Sequence, residues 1–187
     1  MIAYKSLFNF LKEPENGRAV LGIDGRCASG KTTFSAHLES IFPSSIVHID
    51  DFFLPHNLQK DALGGNIDRE RFFSEVLLNL RNDAPFFYSV FDCRFQRFSD
   101  KRKIDPKNLV IIEGVYSLLP EFIPYYDIKI FMDIDPNLQK KRLISREGAR
   151  ADMFFKKWIP LEESYFNTFN SRKTADIILS EYAGINE

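Results

Sequence analysis

Residues 19–38 read Ala-Val-Leu-Gly-Ile-Asp-Gly-Arg-Cys-Ala-Ser-Gly-Lys-Thr-Thr-Phe-Ser-Ala-His-Leu, and this stretch decides the fold. It opens with an apolar run, 19–23, that predicts a strand, and it continues through a glycine-rich loop, 25–32, into a predicted helix. A strand and a helix on either side of such a loop make its backbone amides converge at the N-terminus of the helix. The stretch therefore predicts an anion-binding loop. A plain glycine-rich turn is the alternative.

The spacing within the loop narrows the anion to a chain of phosphates. Gly25-x-x-x-x-Gly30-Lys31-Thr32 matches the phosphate-loop pattern, in which glycines let the backbone wrap around phosphate oxygens. In this pattern Lys31 bridges the β- and γ-phosphates and Thr32 holds Mg²⁺. The sequence therefore predicts that the chain binds ATP and Mg²⁺. The expected nucleotide contacts are Gly25, Ala28, Ser29, Gly30, Lys31, Thr32 and Thr33.

Short apolar runs recur along the chain, and most are separated by segments long enough to hold a helix. Continuous apolar runs are typical of strands that helices cover on both faces. We therefore predict an α/β fold of the P-loop NTPase type, with a mostly parallel sheet, helices on both faces and a small lid. The strand runs are 19–23, 45–49, 109–112, 128–132 and 176–179, with a further short strand at 86–91 and helices at 1–12, 31–42 and 68–80.

Size and composition exclude several classes of protein. With 187 residues, 44% hydrophobic and 27% charged, the chain is expected to form one globular domain over 1–187. A net charge of -1 gives no overall attraction to nucleic acid or to an anionic membrane, and no run reaches the roughly 20 apolar residues of a membrane span. Two cysteines are too few for a disulfide framework, which favours the cytoplasm. We expect a small-molecule partner, neither nucleic acid nor membrane, and leave a homo-oligomer open.

Two acids, Asp50 and Asp51, close the apolar run 46–49. Ligands of open α/β sheets collect outside the carboxyl ends of the strands. A phosphoryl acceptor there needs a carboxylate to align and deprotonate its hydroxyl. Adjacent side chains point in different directions, so we expect only one of the two to face the phosphates. Capping of the next helix is the alternative for both.

Acids also close two later apolar runs. Glu113 ends the run 109–112, and an acid at this position is typical of one that orients Mg²⁺ or its waters. Such a partner would also offset the cost of burying the carboxylate. An ordinary strand-terminal acid is the alternative. Asp133 and Asp135 end another run, but Pro136 follows, and a turn or a helix cap explains them equally well.

Three arginines, Arg142, Arg146 and Arg150, stand four residues apart, so one helix face would carry them. Guanidinium groups are suited to stabilising charge on a phosphoryl group during transfer. We therefore expect a basic lid at about 139–155, with catalytic roles for Arg142 and Arg146. Gly148 interrupts the stretch before Arg150, and a solvated charged face is the alternative for all three.

Aromatic residues are frequent between about 52 and 98, the segment expected to bind the acceptor. Phe53, Tyr88 and Arg94 could wall a site for a flat or partly apolar molecule, and packing in the core is the alternative. The stretch 54–66 is expected to be the most mobile, because it holds two glycines and a proline.

The three histidines differ in their expected roles. His37, on the helix predicted at 31–42, and His48, in a strand, are expected to be packing residues, whereas His56 could reach a substrate. No spacing of Cys and His typical of a metal site occurs in the sequence.

Together these motifs resemble those of the uridine kinase family. The resemblance spans residues 18 to 180 and rests, in order, on 22–33, Asp50-Asp51-Phe52-Phe53, Glu113-Gly114 and Arg142-x-x-x-Arg146. It implies an ATP-dependent kinase that phosphorylates a hydroxyl, with a pyrimidine ribonucleoside, uridine or cytidine, as the first candidate acceptor. It also implies the roles of single residues. These are Asp50 as base, Lys31 and Thr32 as phosphate and Mg²⁺ contacts, Glu113 as second acid, and Arg142 and Arg146 in the lid.

Two positions depart from that family's pattern. The family has Asp-Ser-Phe-Tyr where this chain has Asp50-Asp51-Phe52-Phe53, and a pyrimidine-contacting histidine where this chain has Cys93. Tyr88, by contrast, aligns with an aromatic residue of the nucleoside pocket. Pantothenate or a sugar is therefore the alternative acceptor. A nucleotide-dependent switch protein is the alternative from another class.

Overall fold

The protein has a central parallel sheet and a separate hairpin. The computed structural model describes residues 2–12, 14, 17–59 and 63–180. Its strands are β1 Val20–Gly25, β2 Ser44–His48, β3 Phe86–Asp92, β4 Arg97–Ile104, β5 Leu109–Glu113, β6 Ile128–Asp133 and β7 Ile177–Ser180. Five of them pair in parallel in the order β2-β5-β1-β6-β7, while β3 and β4 form the antiparallel hairpin. Every residue of β1 is buried, as expected for the central strand of a covered sheet.

Helices join the strands and cover the sheet. They are α1 Ile2–Lys12, α2 Lys31–Ile41, α3 Arg69–Glu75, α4 Pro136–Glu147, α5 Ala151–Met153, α6 Ile159–Phe169 and α7 Ser171–Thr174. A π-helical turn, Phe154–Trp158, connects α5 to α6, and short 3-10 turns include Ile49–Phe52 directly after β2. The predicted α/β class is confirmed.

Two apolar clusters hold the layers together. One joins Leu7 and Leu11 of α1 to Phe34 and Leu38 of α2, against inner strand residues such as Ile23. The helix predicted at 1–12 is therefore α1, and it packs against α2. The other cluster is rich in aromatic rings, and includes Phe52, Phe72, Tyr88, Phe122, Phe131, Tyr165 and Phe166. Its members come from α3, α6 and the hairpin, so these elements share a core with the sheet.

The strand β4 and the helix expected at 68–80 depart from the sequence prediction. The strand β4 was not predicted, because seven of its eight residues are exposed and mostly charged, which hides any apolar period. The helix expected at 68–80 ends at Glu75 and continues as a 3-10 turn at Leu77–Asn79. Its end is capped by the Asn79 amide, which donates to the carbonyls of Ser74 and Glu75 at 3.0 and 3.2 Å.

Asp135 is the helix cap that the sequence left as one alternative. Its carboxylate accepts from the backbone amides of Asn137 and Leu138 at 2.9 and 3.1 Å and begins α4. Asp133 instead pairs with Arg26 and Arg172.

Of the stretch 54–66, whose mobility was expected, residues 60–62 lie outside the described residues. Within the described ranges, no helix combines the length and apolar character needed to cross a bilayer.

Candidate functional site

The loop between β1 and α2 has a backbone that only glycine can form at both ends. Gly25 has a φ of +133° and Gly30, which precedes α2, has a φ of +99°. A Cβ on Gly25 would lie 2.0 Å from the Met132 carbonyl oxygen, the same oxygen to which Arg26 N donates at 3.1 Å. The start of the loop is therefore fixed against the end of β6.

Lys31 is buried and its ammonium group turns back toward the loop. Its Nζ donates to the carbonyls of Gly25 at 2.7 Å and Arg26 at 2.9 Å, and the residue lines the large cavity described below. A cation held on the inner side of a loop whose glycines bend around it is suited to a bound phosphate.

Thr32 and Glu113 meet at the ends of α2 and β5. The Thr32 hydroxyl donates to Glu113 Oε1 at 3.2 Å, and His48 Nδ1 lies 2.5 Å from the same oxygen. The β2–β5 register pairs His48 directly with Glu113, which explains the contact. His48 was expected only to pack, and its place beside Glu113 could not be found without that register. Two hard oxygen donors at this distance fit Mg²⁺, which also keeps several waters.

One cavity of about 1130 Å³ brings most of the predicted residues together. The predicted residues in its lining are Ala28, Gly30, Lys31, Thr32, Thr33, Asp50, Phe53, Glu113, Arg142 and Arg146. His56, also proposed from the sequence to reach a substrate, lines it with Cys93, Asn66 and Tyr116. The phosphate loop, the turn after β2, the hairpin turn and α4, which are far apart in sequence, thus contribute residues to one cavity.

The two adjacent acids face different ways. Asp50 lines the cavity, whereas Asp51 is buried and accepts a hydrogen bond from the Tyr88 hydroxyl at 2.7 Å. Arg102 of β4 also lies 3.4 Å from Asp51. Asp51 therefore ties the hairpin to β2, and Asp50 is the carboxylate available to a ligand.

Asp50 lies in an unfavourable setting for a negative charge. Asp50 is exposed at the surface, and its side chain lines the cavity. Desolvation among the cavity walls raises the pKa of Asp50 above its ordinary value, and the nearby charge of Glu113 raises it further, while Lys31 opposes both. A carboxylate whose pKa is raised is better matched to accepting a proton near neutral pH.

Several predicted contacts lie outside the cavity lining. Tyr88 is 1% exposed and packs 5.0 Å from the Phe52 ring, so it belongs to the core and its hydroxyl is engaged by Asp51. Arg94, on the hairpin turn, is exposed and does not line the cavity. Gly25 and Ser29 belong to the phosphate loop but do not line the cavity. Tyr88 was expected to contact a substrate, with packing in the core as the alternative, and the structure places it in the core.

The predicted lid is α4 with the turns that follow it. Arg142 lines the cavity and donates to the Ala28 carbonyl at 3.1 Å, which ties the lid to the phosphate loop. Arg146 lines the cavity with its guanidinium carbon 5.6 Å from the Phe154 ring centre. Arg150 is 72% exposed and does not line the cavity, so the helix interruption at Gly148 turns it away.

The π-helical turn supplies one wall of the cavity, which no pattern in the sequence predicts. Phe154, Lys157 and Trp158 from this turn line the cavity, and Lys157 Nζ lies 4.8 Å from the Trp158 ring centre. A π-helical turn re-aims side chains relative to a regular helix, and such turns are frequent at functional sites. Nothing in a local apolar period distinguishes it from an ordinary helix.

Residues of α6 hold the outer side of the phosphate loop. The buried Glu162 accepts from Cys27 N at 3.0 Å, and Arg26 pairs with Glu163 at 2.6 Å. Burial raises the pKa of the Cys27 thiol to about 12, so it stays neutral. Gln139 of α4 donates to the Cys27 carbonyl at 3.0 Å. Both α4 and α6 are thereby attached to the phosphate loop.

The chain is similar in sequence to curated proteins over most of its length. A tRNA-specific adenosine deaminase subunit from Schizosaccharomyces pombe is 29% identical over 181 residues, 90% of this chain, and the chain spans 45% of that relative's length. A uridine kinase from Staphylococcus epidermidis is 26% identical over 186 residues, 89% of each chain. No family model matches the chain.

The fold also has counterparts among solved structures. A possible uridine kinase from Bacillus stearothermophilus has a TM-score of 0.65 and 23% sequence identity, over 96% of this chain and 100% of that one. Agreement at this level of identity shows a shared fold and says nothing of a shared substrate.

Proposed function

We propose that this uridine kinase-like chain transfers the γ-phosphate of ATP to a hydroxyl of a small metabolite, with uridine and cytidine as the first candidate acceptors. The observation that carries the proposal is that Lys31 and Asp50 line the same cavity, one from the phosphate loop and one from the end of β2. Similarity to a uridine kinase over 89% of both chains supports it. Pantothenate or a sugar is the alternative acceptor. We place the protein in the cytoplasm, where its two cysteines would stay reduced.

In the proposed reaction Asp50 accepts the proton of the acceptor hydroxyl as its oxygen attacks the γ-phosphorus, and ADP is the leaving group. Asp51 cannot do this from its position, because Tyr88 and Arg102 occupy its carboxylate. Phe53, His56 and Cys93 would surround the acceptor, since they line the cavity together with Asp50.

Cationic side chains would hold the phosphates during transfer. Lys31 would exchange its two carbonyl partners for phosphate oxygens, and Arg142 and Arg146 would approach from the lid. Thr32 and Glu113 would hold Mg²⁺, which supplies charge neutralisation on the β- and γ-phosphates when bound. His48 keeps the Glu113 carboxylate oriented through their 2.5 Å contact.

The direct test is acceptor-dependent release of ADP. The purified chain is incubated with Mg²⁺ and ATP and with single acceptors: uridine, cytidine, other nucleosides, pantothenate and simple sugars. We expect ADP to appear only with an acceptor, and a phosphorylated product to be seen by mass spectrometry. ATP hydrolysis that no acceptor stimulates would contradict the proposal and favour a nucleotide-dependent switch.

The lid arginines give a matched pair of variants. Arg146 and Arg150 are both exposed and both pair with Glu147, but only Arg146 lines the cavity. We expect Arg146→Gln to lower kcat by roughly 100-fold, as for loss of a group that stabilises transition-state charge. Arg150→Gln should change kcat by less than about two-fold, since a surface ion pair contributes little. Equal effects of the two changes in steady-state assays would remove Arg146 from the proposed mechanism.

A further inference from the structure

We infer that Asp24 is a positioning residue: its buried carboxylate ties the phosphate loop, the loop at 114–119 and α6 into one unit, and so fixes Tyr116 in the cavity wall. The inference rests on the proposed function for its catalytic consequence, but the link itself is a property of the fold. None of these roles was expected from the sequence, where Asp24 is only the polar residue between a strand and a glycine.

Asp24 has no solvent exposure, yet it carries a carboxylate on the central strand. Four donors from three parts of the chain converge on it. They are the amides of Gly25 at 2.6 Å, Leu118 at 2.9 Å and Tyr116 at 3.3 Å, and the hydroxyl of Tyr165 at 2.7 Å. A buried carboxylate without partners is strongly unfavourable, and these four donors are what allow Asp24 to remain on the central strand.

The contacts of Asp24 join segments with different tasks. Gly25 begins the phosphate loop, Tyr116 and Leu118 belong to the loop after Glu113, and Tyr165 lies on α6. That helix also supplies Glu162, which holds Cys27 of the phosphate loop. A displacement of any one of the three segments therefore has to break or stretch a bond to the same carboxylate.

Tyr116 shows why this matters for the cavity. Its φ is +79°, a strained conformation for a residue other than glycine, which persists only where surrounding contacts impose it. The hydrogen bond from its amide to Asp24 is one such contact, and the Tyr165 ring, 4.8 Å away, is another. Held this way, the Tyr116 ring lines the cavity and packs so tightly on Gly65 that a Cβ there would lie 2.4 Å from it.

Gly65 belongs to the segment that also contributes Asn66 to the cavity. Asp24 thus connects the phosphate loop to the proposed acceptor side of the cavity through the loop at 114–119 and the ring of Tyr116. Binding of ATP at the loop should for this reason restrain the amides of Tyr116 and Leu118. Loss of the carboxylate should loosen the wall while leaving the phosphate loop able to bind.

Two tyrosine variants test the link with matched disruption. Tyr165→Phe removes one donor from Asp24, whereas Tyr126→Phe removes a hydroxyl that donates at 2.8 Å to the Ser117 carbonyl of the same loop without touching the carboxylate. Both residues are buried tyrosines. Asp24→Asn is the third variant, since an amide places a donor toward the donating groups. If that variant does not fold, Tyr165→Phe carries the test.

Two measurements are made on each variant. Hydrogen exchange at the amides of Tyr116 and Leu118 is compared with and without Mg²⁺ and ATP, and ATP affinity is followed by titration calorimetry. We expect ATP to slow this exchange in the wild-type chain and in Tyr126→Phe, and to lose that effect in Tyr165→Phe and Asp24→Asn. ATP affinity should stay within about five-fold in the two tyrosine variants, because neither hydroxyl is bonded to the phosphate loop.

With an acceptor that is phosphorylated, Tyr165→Phe should lower kcat by roughly 10-fold or more, the scale of a misplaced wall, while Tyr126→Phe should stay within about two-fold. The inference is overturned if ATP-dependent protection survives in Tyr165→Phe and Asp24→Asn, or if Tyr126→Phe abolishes it equally. If no acceptor is phosphorylated by the wild-type chain, the proposed function fails while the exchange result still decides the link.

Discussion

Asp50→Asn should reduce acceptor-dependent phosphoryl transfer by roughly 1,000-fold, within the range that a positioned general base supplies. Asparagine keeps the size of the side chain but cannot accept the hydroxyl proton. ATP should still bind with similar affinity, because the phosphate loop does not depend on Asp50. Steady-state kinetics and titration calorimetry measure the two effects separately.

Asp51→Asn is the control for this change. Asp51 lies next in the chain but is bound to Tyr88 and Arg102, so its replacement should lower thermal stability and leave most of the transfer activity. If Asp51→Asn abolished transfer and Asp50→Asn did not, the assignment of the base would be wrong.

The pH dependence provides an independent check on Asp50. Its pKa is raised above the ordinary 3.8, by desolvation first and by Glu113 second. A base must be ionised, so the acid limb of the pH profile of kcat/KM should lie above that value and be absent from the residual activity of Asp50→Asn.

The raised pKa of Asp50 also affects how the stability of the fold depends on pH. A carboxyl whose pKa is raised by folding stabilises the fold at low pH, and that contribution is lost as pH rises through the raised pKa. Asp50→Asn should therefore melt at a temperature no lower than the wild type at neutral pH.

Gly25→Ala is expected to be the most damaging single change to the fold. The new methyl group would lie 2.0 Å from the Met132 carbonyl oxygen, on a residue with a φ of +133°. Overpacking and backbone strain together should cost roughly 3 to 5 kcal/mol of the free energy of unfolding. ATP binding should be lost as well, because β6 and the start of the phosphate loop cannot keep their present distance.

Gly148→Ala is the control that separates the cost of backbone strain from the cost of steric overlap. Gly148 also has a positive φ, +56°, but no atom lies within 4 Å of a Cβ built on it. We expect a loss of roughly 1 to 2 kcal/mol from backbone strain alone. Urea unfolding of both variants provides the comparison. Equal losses would mean that contact with Met132 is relieved by a shift of β6, and that our account of the loop's close fit is wrong.

The site residues that could be predicted are those whose positions depend on neighbours along the chain. The glycines, Lys31 and Thr32 lie within eight consecutive residues, and their spacing alone places them around one anion. The strand-end acids Asp50 and Glu113 were predicted by a topological rule, since parallel strands bring their carboxyl ends to one edge. The structure places both in the cavity lining.

Other features had no local signal. The strand β4 is charged and exposed, and pairs only because β3 lies beside it. Tyr88 looks in the sequence like any aromatic residue of a binding pocket, but the contact between its hydroxyl and Asp51 turns it into the core. The Trp158 wall depends on a π-helical turn that no apolar period reveals.

The phosphate loop, the parallel sheet around it and the acids at its edge were determined by the sequence itself, because each depends on residues that are neighbours along the chain or follow a strand directly. Only the tertiary structure decided that Asp50 rather than Asp51 faces the cavity, that His48 meets Glu113, and that Asp24 joins three segments. These depend on side-chain direction and strand register, which are fixed by packing between segments as much as 141 residues apart in sequence, as for Asp24 and Tyr165.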